Sequence, residues 1–205
     1  MKVNTNSNTY IIIYSTLLVV VVAFVLAFVY QALKPMQDAN VALDVKKQVL
    51  NSLNLRGLDG AAAESTYAQV VEAEVETEGL RYYECRVDGQ RKYVFPLKGM
   101  GLWGGISGFI AVDADLDTVY GAYFNHESET AGLGAEIKDS QAWQEQFRGK
   151  RIADADGRVT LAVVKKVDDA ATQVDAVTGA TLTSDGVSAM LADCLPKYIN
   201  LLKQQ

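Results

Sequence analysis

Histidine and cysteine are nearly missing from this chain: 205 residues hold one His, His126, and two Cys, Cys85 and Cys194. Such a chain cannot by itself assemble a four-Cys cluster or a His-rich metal centre. Any redox role must therefore rest on an organic cofactor or on ligands from a partner. Two distant cysteines make no disulfide framework and read as two buried thiols. Clustered positive charge is also lacking: the formal net charge is -6 and Lys and Arg are scattered. Without a basic stripe, nucleic acid is excluded as a partner. Repeats and low-complexity tracts are absent, as is a dinucleotide fingerprint. The Gly-rich stretch near residue 100 is not a P-loop, because it lacks the Lys-Ser/Thr ending and the strand-to-helix setting.

What the chain has is apolar: 49% of its residues, enough to build one domain with an appendage. After a short polar segment over residues 1–10, residues 11–30 run without a charge. Twenty residues at about 1.5 Å each match the hydrocarbon core of a bilayer, so a transmembrane helix is expected, with Tyr10 and Tyr30 at its interfaces. A cleaved signal peptide would carry a run of only about 7–15 apolar residues and a small-residue cleavage site, which residues 28–32 match poorly. Lys2 and the terminal amine stand on one side of this span, Lys34, Lys46 and Lys47 on the other, so charge counting leans toward a cytoplasmic C-terminal domain.

Residues 31–60 read as an amphipathic connecting helix and linker. Val41, Val45, Val49 and Leu53, with Leu50, mark one helical face, and residues 60–65 are a small-residue linker. Residues 61–205 then form the folded domain. Strands are predicted over 67–75, 81–87, 91–97, 106–112, 118–124 and 159–167, with a hairpin turn at Asp88-Gly89-Gln90. A helix over 138–147, capped by Asp139 or Ser140, turns Trp143 and Phe147 inward, and a last helix over 184–202 is kinked or restarted at Pro196. The fold class is α+β: an antiparallel sheet with flanking helices, preceded by the transmembrane helix.

Three stretches offer chemistry. Asp175-Ala176-Val177-Thr178-Gly179-Ala180-Thr181-Leu182 sets hydroxyls and small residues before a helix, whose first N–H groups favour a phosphate. On local chemistry alone, a strand-to-helix turn with hydroxyl caps remains the simpler reading. Lys98-Gly99-Met100-Gly101-Leu102-Trp103-Gly104-Gly105 either lets main chain approach a planar ligand beside Trp103, or is a hairpin with Trp103 in the core. His126-Glu127-Ser128-Glu129-Thr130-Ala131-Gly132-Leu133-Gly134 combines acceptors, donors and close backbone approach suited to a polar heterocycle, or is a solvated acidic loop. His126 lacks a second imidazole, so no metal site is expected.

The apolar anchor together with Gly-x-Gly-Leu-Trp at 99–103, Glu-Thr-x-Gly-Leu-Gly at 129–134 and Asp-x-x-Thr-Gly-Ala-Thr at 175–181 resembles the NqrC family, subunits of the bacterial sodium-translocating NADH:quinone reductase. The chain is also similar to the RnfG subunits of the related Rnf electron-transport complex, which stand as the alternative. A non-redox anchored binding module is a second alternative. The resemblance implies an FMN-binding domain with FMN joined through its phosphate to the Thr181 hydroxyl. Attachment would be carried out by a separate flavin transferase, with Asp175, Gly179 and Ala180 in its recognition sequence. It further implies Thr178 and Leu182 beside the phosphate, and Leu102, Trp103, Glu129, Thr130, Gly132 and Leu133 near the flavin, with no catalytic acid or base. Ala131 departs from the Pro usual at that position.

By the same resemblance the chain is a single-pass subunit of the bacterial inner membrane, in contact with membrane lipid and with the other subunits of an Nqr-type complex. Its soluble domain would lie on the periplasmic side, against the charge count. It would relay electrons from NADH toward ubiquinone while the complex transports sodium.

Overall fold

The computed structural model describes residues 7–203, so most of the polar segment expected over 1–10 lies outside the described residues. The chain divides into two units, Met1–Asp44 and Val45–Gln205.

In the first unit the chain is helical from Asn8, within α1 (Asn8–Ser52). Its most apolar 18-residue window has a mean hydropathy of 2.9 with none of it buried, so it is long and apolar enough to cross a membrane. Phe24 and Phe28 are 75% and 70% exposed. The apolar run and the connecting helix are one continuous helix, since α1 continues through Pro35. Proline removes one helical hydrogen bond, a local cost that the good helix formers on both sides absorb.

The second unit begins with the end of α1, where Gln48, Val49, Leu50 and Ser52 are buried. Then follow α2 (Gly60–Val70), β1 (Val71–Thr77), β2 (Leu80–Val87), β3 (Gln90–Met100), β4 (Gly105–Asp113) and β5 (Val119–His126). The linker expected at 60–65 is helix instead. Asp59 caps it by accepting from the Ala62 N–H (2.8 Å), and consecutive alanines are the strongest helix formers. The strand expected from 67 accordingly starts at 71.

The five strands form one antiparallel sheet in the order β1-β2-β3-β4-β5. The hairpin predicted at Asp88-Gly89 is present, and Glu78-Gly79, which the sequence reading does not single out, makes a second: both pairs take positive φ at both positions, as two-residue hairpins require. Alternate residues face opposite layers. Val94, Phe109 and Ala111 pack with Val49 and Leu53 on the α1 side. Phe95, Leu97, Ile110 and Val112 face the main core with residues of the C-terminal helix.

That core is closed by α3 (Glu136–Asp139), α4 (Gln141–Glu145), β6 (Ala162–Val164), β7 (Gln173–Asp175) and α5 (Thr181–Lys203). The single helix expected over 138–147 is split at Ser140, whose hydroxyl accepts from the Trp143 N–H (3.2 Å). Trp143 and Phe147 do turn inward, 5.5 and 5.0 Å from Phe124. The strand expected over 159–167 shrinks to three residues and leaves the main sheet, pairing in parallel with β7. Ser188 on α5 accepts from the Val163 N–H (2.8 Å) and donates to its C=O (2.7 Å), filling the place of a neighbouring strand. α5 starts three residues earlier than expected and runs through Pro196 without restarting.

Candidate functional site

The segment from Asp175 to Thr181 is fixed by its main chain. The Trp143 indole N–H donates to the Asp175 carbonyl (2.7 Å), and the Asp175 N–H donates to Gln146 Oε1 (3.2 Å). The Val177 N–H donates to Ser184 Oγ (3.1 Å), and the Ala180 N–H closes a turn on the Val177 carbonyl (3.0 Å). Gly179 has φ +78°, and a Cβ there would lie 2.8 Å from Leu133 Cδ2, so both conformation and contact call for glycine.

This scaffold leaves Asp175, Thr178, Gly179, Thr181 and Leu182 exposed and buries Ala180, Thr183 and Ser184. Thr181 is the first residue of α5, at the end where helical N–H groups have no intrahelical acceptor. A cleft of about 580 Å³ is lined by residues that include Gly132, Glu136, Trp143, Lys165, Asp175 and Thr178, the last of them three positions before Thr181.

The Gly-rich loop is a tight turn whose main chain packs on a carboxylate. It folds back with the Gly101 N–H donating to the Gly104 carbonyl (2.9 Å), and what its backbone approaches is the Glu129 carboxylate. A Cβ on Gly101 would lie 2.5 Å from Glu129 Oε1, and one on Gly134 would lie 2.5 Å from Glu129 Oε2. Trp103 is neither in the core nor stacked in a pocket but 66% exposed. With Met100, Leu102, Leu133 and Leu182, also exposed, it gives these loops and the α5 start an apolar surface. Thr130 and Gly132 are exposed beside it, Gly132 with φ +72°.

Glu129 is only 7% exposed, and its own N–H donates to His126 Nδ1 (3.1 Å). Burial alone would raise its pKa. Hydrogen bonds from the Thr183 hydroxyl and from the backbone N–H groups of Trp103, Gly104 and Leu102 outweigh that and hold the carboxyl below its ordinary value. A carboxylate with a lowered folded pKa contributes stability above its unfolded pKa of about 4.3, and that contribution is lost as pH falls through the folded value. Urea unfolding of the full chain in detergent between about pH 7 and pH 3 is therefore expected to show a steeper acid loss for the native chain than for Glu129→Gln. Equal slopes would remove Glu129 from the acid response.

Sequence reading found Glu129 but not its partner Thr183, 54 residues away, nor the Trp143 and Gln146 contacts with Asp175. No signal in a single sequence joins such distant positions. Of the two thiols expected to be buried, Cys85 is buried and pushed up to about 12 by desolvation, whereas Cys194 is half-buried. They pack in the cores on opposite faces of the sheet, so no disulfide joins them. Among the described residues no group of three His, Cys, Asp or Glu is placed to hold a metal ion.

Residues 101–196 match the family described as FMN-binding domain. The chain is 39% identical over 129 residues to the NqrC subunit of the Na(+)-translocating NADH-quinone reductase of Chlamydia caviae, covering 55% of this chain and 40% of that protein. It is 39% identical over 115 residues to the corresponding Pseudomonas aeruginosa subunit, covering 53% and 44%. The chain thus spans less than half the length of these relatives. The crystal structure of the same subunit from Parabacteroides distasonis superposes with a TM-score of 0.77 at 34% identity, covering 84% of this chain and 98% of that one. The Shewanella oneidensis NqrC crystal structure, at 22% identity and a TM-score of 0.66 over 79% of this chain and 97% of that one, shares the fold. With sequence and fold in agreement over nearly the whole of the Parabacteroides chain, this protein belongs to the NqrC family of Na(+)-translocating NADH-quinone reductase subunits.

Proposed function

We propose that this chain is a membrane-anchored electron-transfer subunit that carries FMN as a phosphoester on Thr181, within a sodium-pumping NADH:quinone reductase. The observation that carries the reading is the exposed Thr181 hydroxyl at the first turn of α5, in a domain where Leu102, Trp103, Leu133 and Leu182 are also exposed. Large apolar side chains gathered on a folded surface call for a cover, and an isoalloxazine ring is planar and apolar enough to provide one. The residues present therefore fit the cofactor. The N–H groups at the start of α5 favour the phosphate, with Thr178 and Leu182 beside it. Leu102, Trp103, Thr130, Gly132 and Leu133 would face the ring, and Asp175, Gly179 and Ala180 set the shape of the attachment segment.

FMN supplies the redox chemistry, taking up and passing on electrons between other subunits on the way from NADH toward ubiquinone, a route the complex couples to sodium transport. The chain's own residues hold and orient the group. In attachment the Thr181 Oγ–P bond forms as a phosphoanhydride bond of an activated flavin nucleotide breaks, and the rest of that nucleotide leaves. The hydroxyl proton goes to a base on the transferase, since Glu129 is engaged by Thr183 and the 102–104 loop.

The α1 span would anchor the chain in the bacterial inner membrane, in contact with lipid, with the soluble domain on the periplasmic side. Copurification with Nqr-type subunits is the expected outcome for the full chain extracted from membranes. Rnf subunits in their place would instead favour the RnfG alternative. Protease added to spheroplasts should cleave the soluble domain, and a protected domain would reverse the orientation.

A further inference from the structure

Three segments far apart in the chain converge on one carboxylate. Glu129 Oε1 accepts from the Trp103 N–H (2.8 Å), and Oε2 accepts from the Thr183 hydroxyl (2.6 Å). The neighbouring Leu102 and Gly104 N–H groups lie close enough to favour its charged form. Gly101 and Gly134 crowd it so closely that neither position has room for a Cβ. Each of the three segments also carries an exposed apolar side chain: Leu102 and Trp103 on the first, Leu133 on the second, Leu182 on the third.

Helix geometry ties this clamp to the attachment point. Two residues along an α-helix turn by roughly 200°, so Thr183 points inward where Thr181 points outward. Fixing the Thr183 hydroxyl on Glu129 fixes the rotation of the first turn of α5, and so the direction of the Thr181 hydroxyl. A carboxylate suits this task because its two oxygens offer acceptor sites enough for every donor directed at it. A nest of consecutive N–H groups favours an anion there.

We propose that Glu129 is a positioning residue: without touching the flavin, it locks the Leu102–Trp103 turn, the Leu133 turn and the start of α5 together so that a ring attached at Thr181 is seated against their apolar side chains. This rests on Thr181 as the attachment point. It separates two events that a direct flavin contact would merge. Attachment needs only the exposed hydroxyl, whereas seating needs the clamp.

The test uses the full chain in detergent, coexpressed with a flavin transferase, as native protein and as Glu129→Ala, Glu129→Gln and Thr183→Val. All four are expected to keep in-gel flavin fluorescence. In the folded protein, Glu129→Ala and Thr183→Val should lose most of the flavin's visible-range circular dichroism, and its fluorescence anisotropy should fall toward that of a tethered, freely turning ring. Glu129→Gln, which keeps the shape and one oxygen, should retain more of both signals. Val94→Ala, a core substitution on the opposite face of the sheet, should lower the unfolding midpoint without moving either signal. Native-like dichroism and anisotropy in both Glu129→Ala and Thr183→Val would overturn the proposal. Should Glu129→Ala fail to fold, Thr183→Val, which keeps side-chain size and the rest of the clamp, decides alone. A native chain with no attached flavin would sink the Thr181 reading and this inference together, whereas attached flavin seated alike in every variant sinks this inference only.

Discussion

Thr181→Val is expected to abolish covalent flavin completely: coexpressed with a transferase, the variant should run as a non-fluorescent band where the native chain fluoresces after denaturing electrophoresis. The fold should not suffer. Thr181 is exposed, and exposed substitutions away from caps and cores usually change stability by no more than about 0.5 kcal/mol. The neighbouring hydroxyls differ sharply as acceptors. Thr183 is 1% exposed and donates to Glu129, and Ser184 is 1% exposed and holds the Val177 N–H, so a transferase could reach neither without unfolding the turn. Thr178 is the one exposed competitor, but it precedes Gly179 and lies outside the helix. A phosphate on Thr181 gains the helix N-terminus, typically about 0.3–1 kcal/mol, an advantage that falls off within a turn. Mass spectrometry of the native chain should find the adduct on Thr181, and Thr178→Val should stay fluorescent. An adduct on Thr178, or a fluorescent Thr181→Val, would refute the assignment.

Gly186→Ala should be the most damaging small substitution in α5. Exchanging a mid-helix glycine for alanine ordinarily gains about 1 kcal/mol. Here the added Cβ would collide with the Met100 carbonyl oxygen and lie 3.3 Å from Gly101 Cα, both backbone atoms that cannot rotate away. Overpacking of this kind costs about 1–3 kcal/mol, and rigid backbone places it at the upper end, so the clash should win by about 1–2 kcal/mol. For a domain of this size that lowers the unfolding midpoint by roughly 2–8 °C. The reverse exchange at exposed Ala189 on the same helix, Ala189→Gly, should also destabilise, by about 0.5–1 kcal/mol, through propensity alone. Opposite exchanges with the same sign would separate contact from propensity. Unchanged or raised stability of Gly186→Ala, measured by urea unfolding, would show that the loop gives way.

How much of this was legible follows from the range of the forces involved. The predicted hairpin rests on Asp88-Gly89, whose backbone preferences act over two residues, and the α5 stripe rests on a repeat within one helix. Gly60 and the three alanines after it look like a linker in sequence, yet they form α2 because Asp59 caps them. The run over 159–167 carries strand composition, yet only Ala162–Val164 becomes strand, because its partners are β7 and the Ser188 hydroxyl rather than the main sheet.

The sequence by itself determined the apolar span, the α+β class, the Asp88-Gly89 hairpin and the turn into α5, since each depends on residues within a turn or two of one another. Tertiary structure alone decided what the glycines near residue 100 are for, which hydroxyls of the 178–184 stretch face solvent, and that Glu129 is a buried clamp on Thr183. Those outcomes hang on contacts across 26 and 54 residues of chain. Exposure and hydrogen-bond partners at that range are set by how sheet and helix pack, and local composition does not encode them.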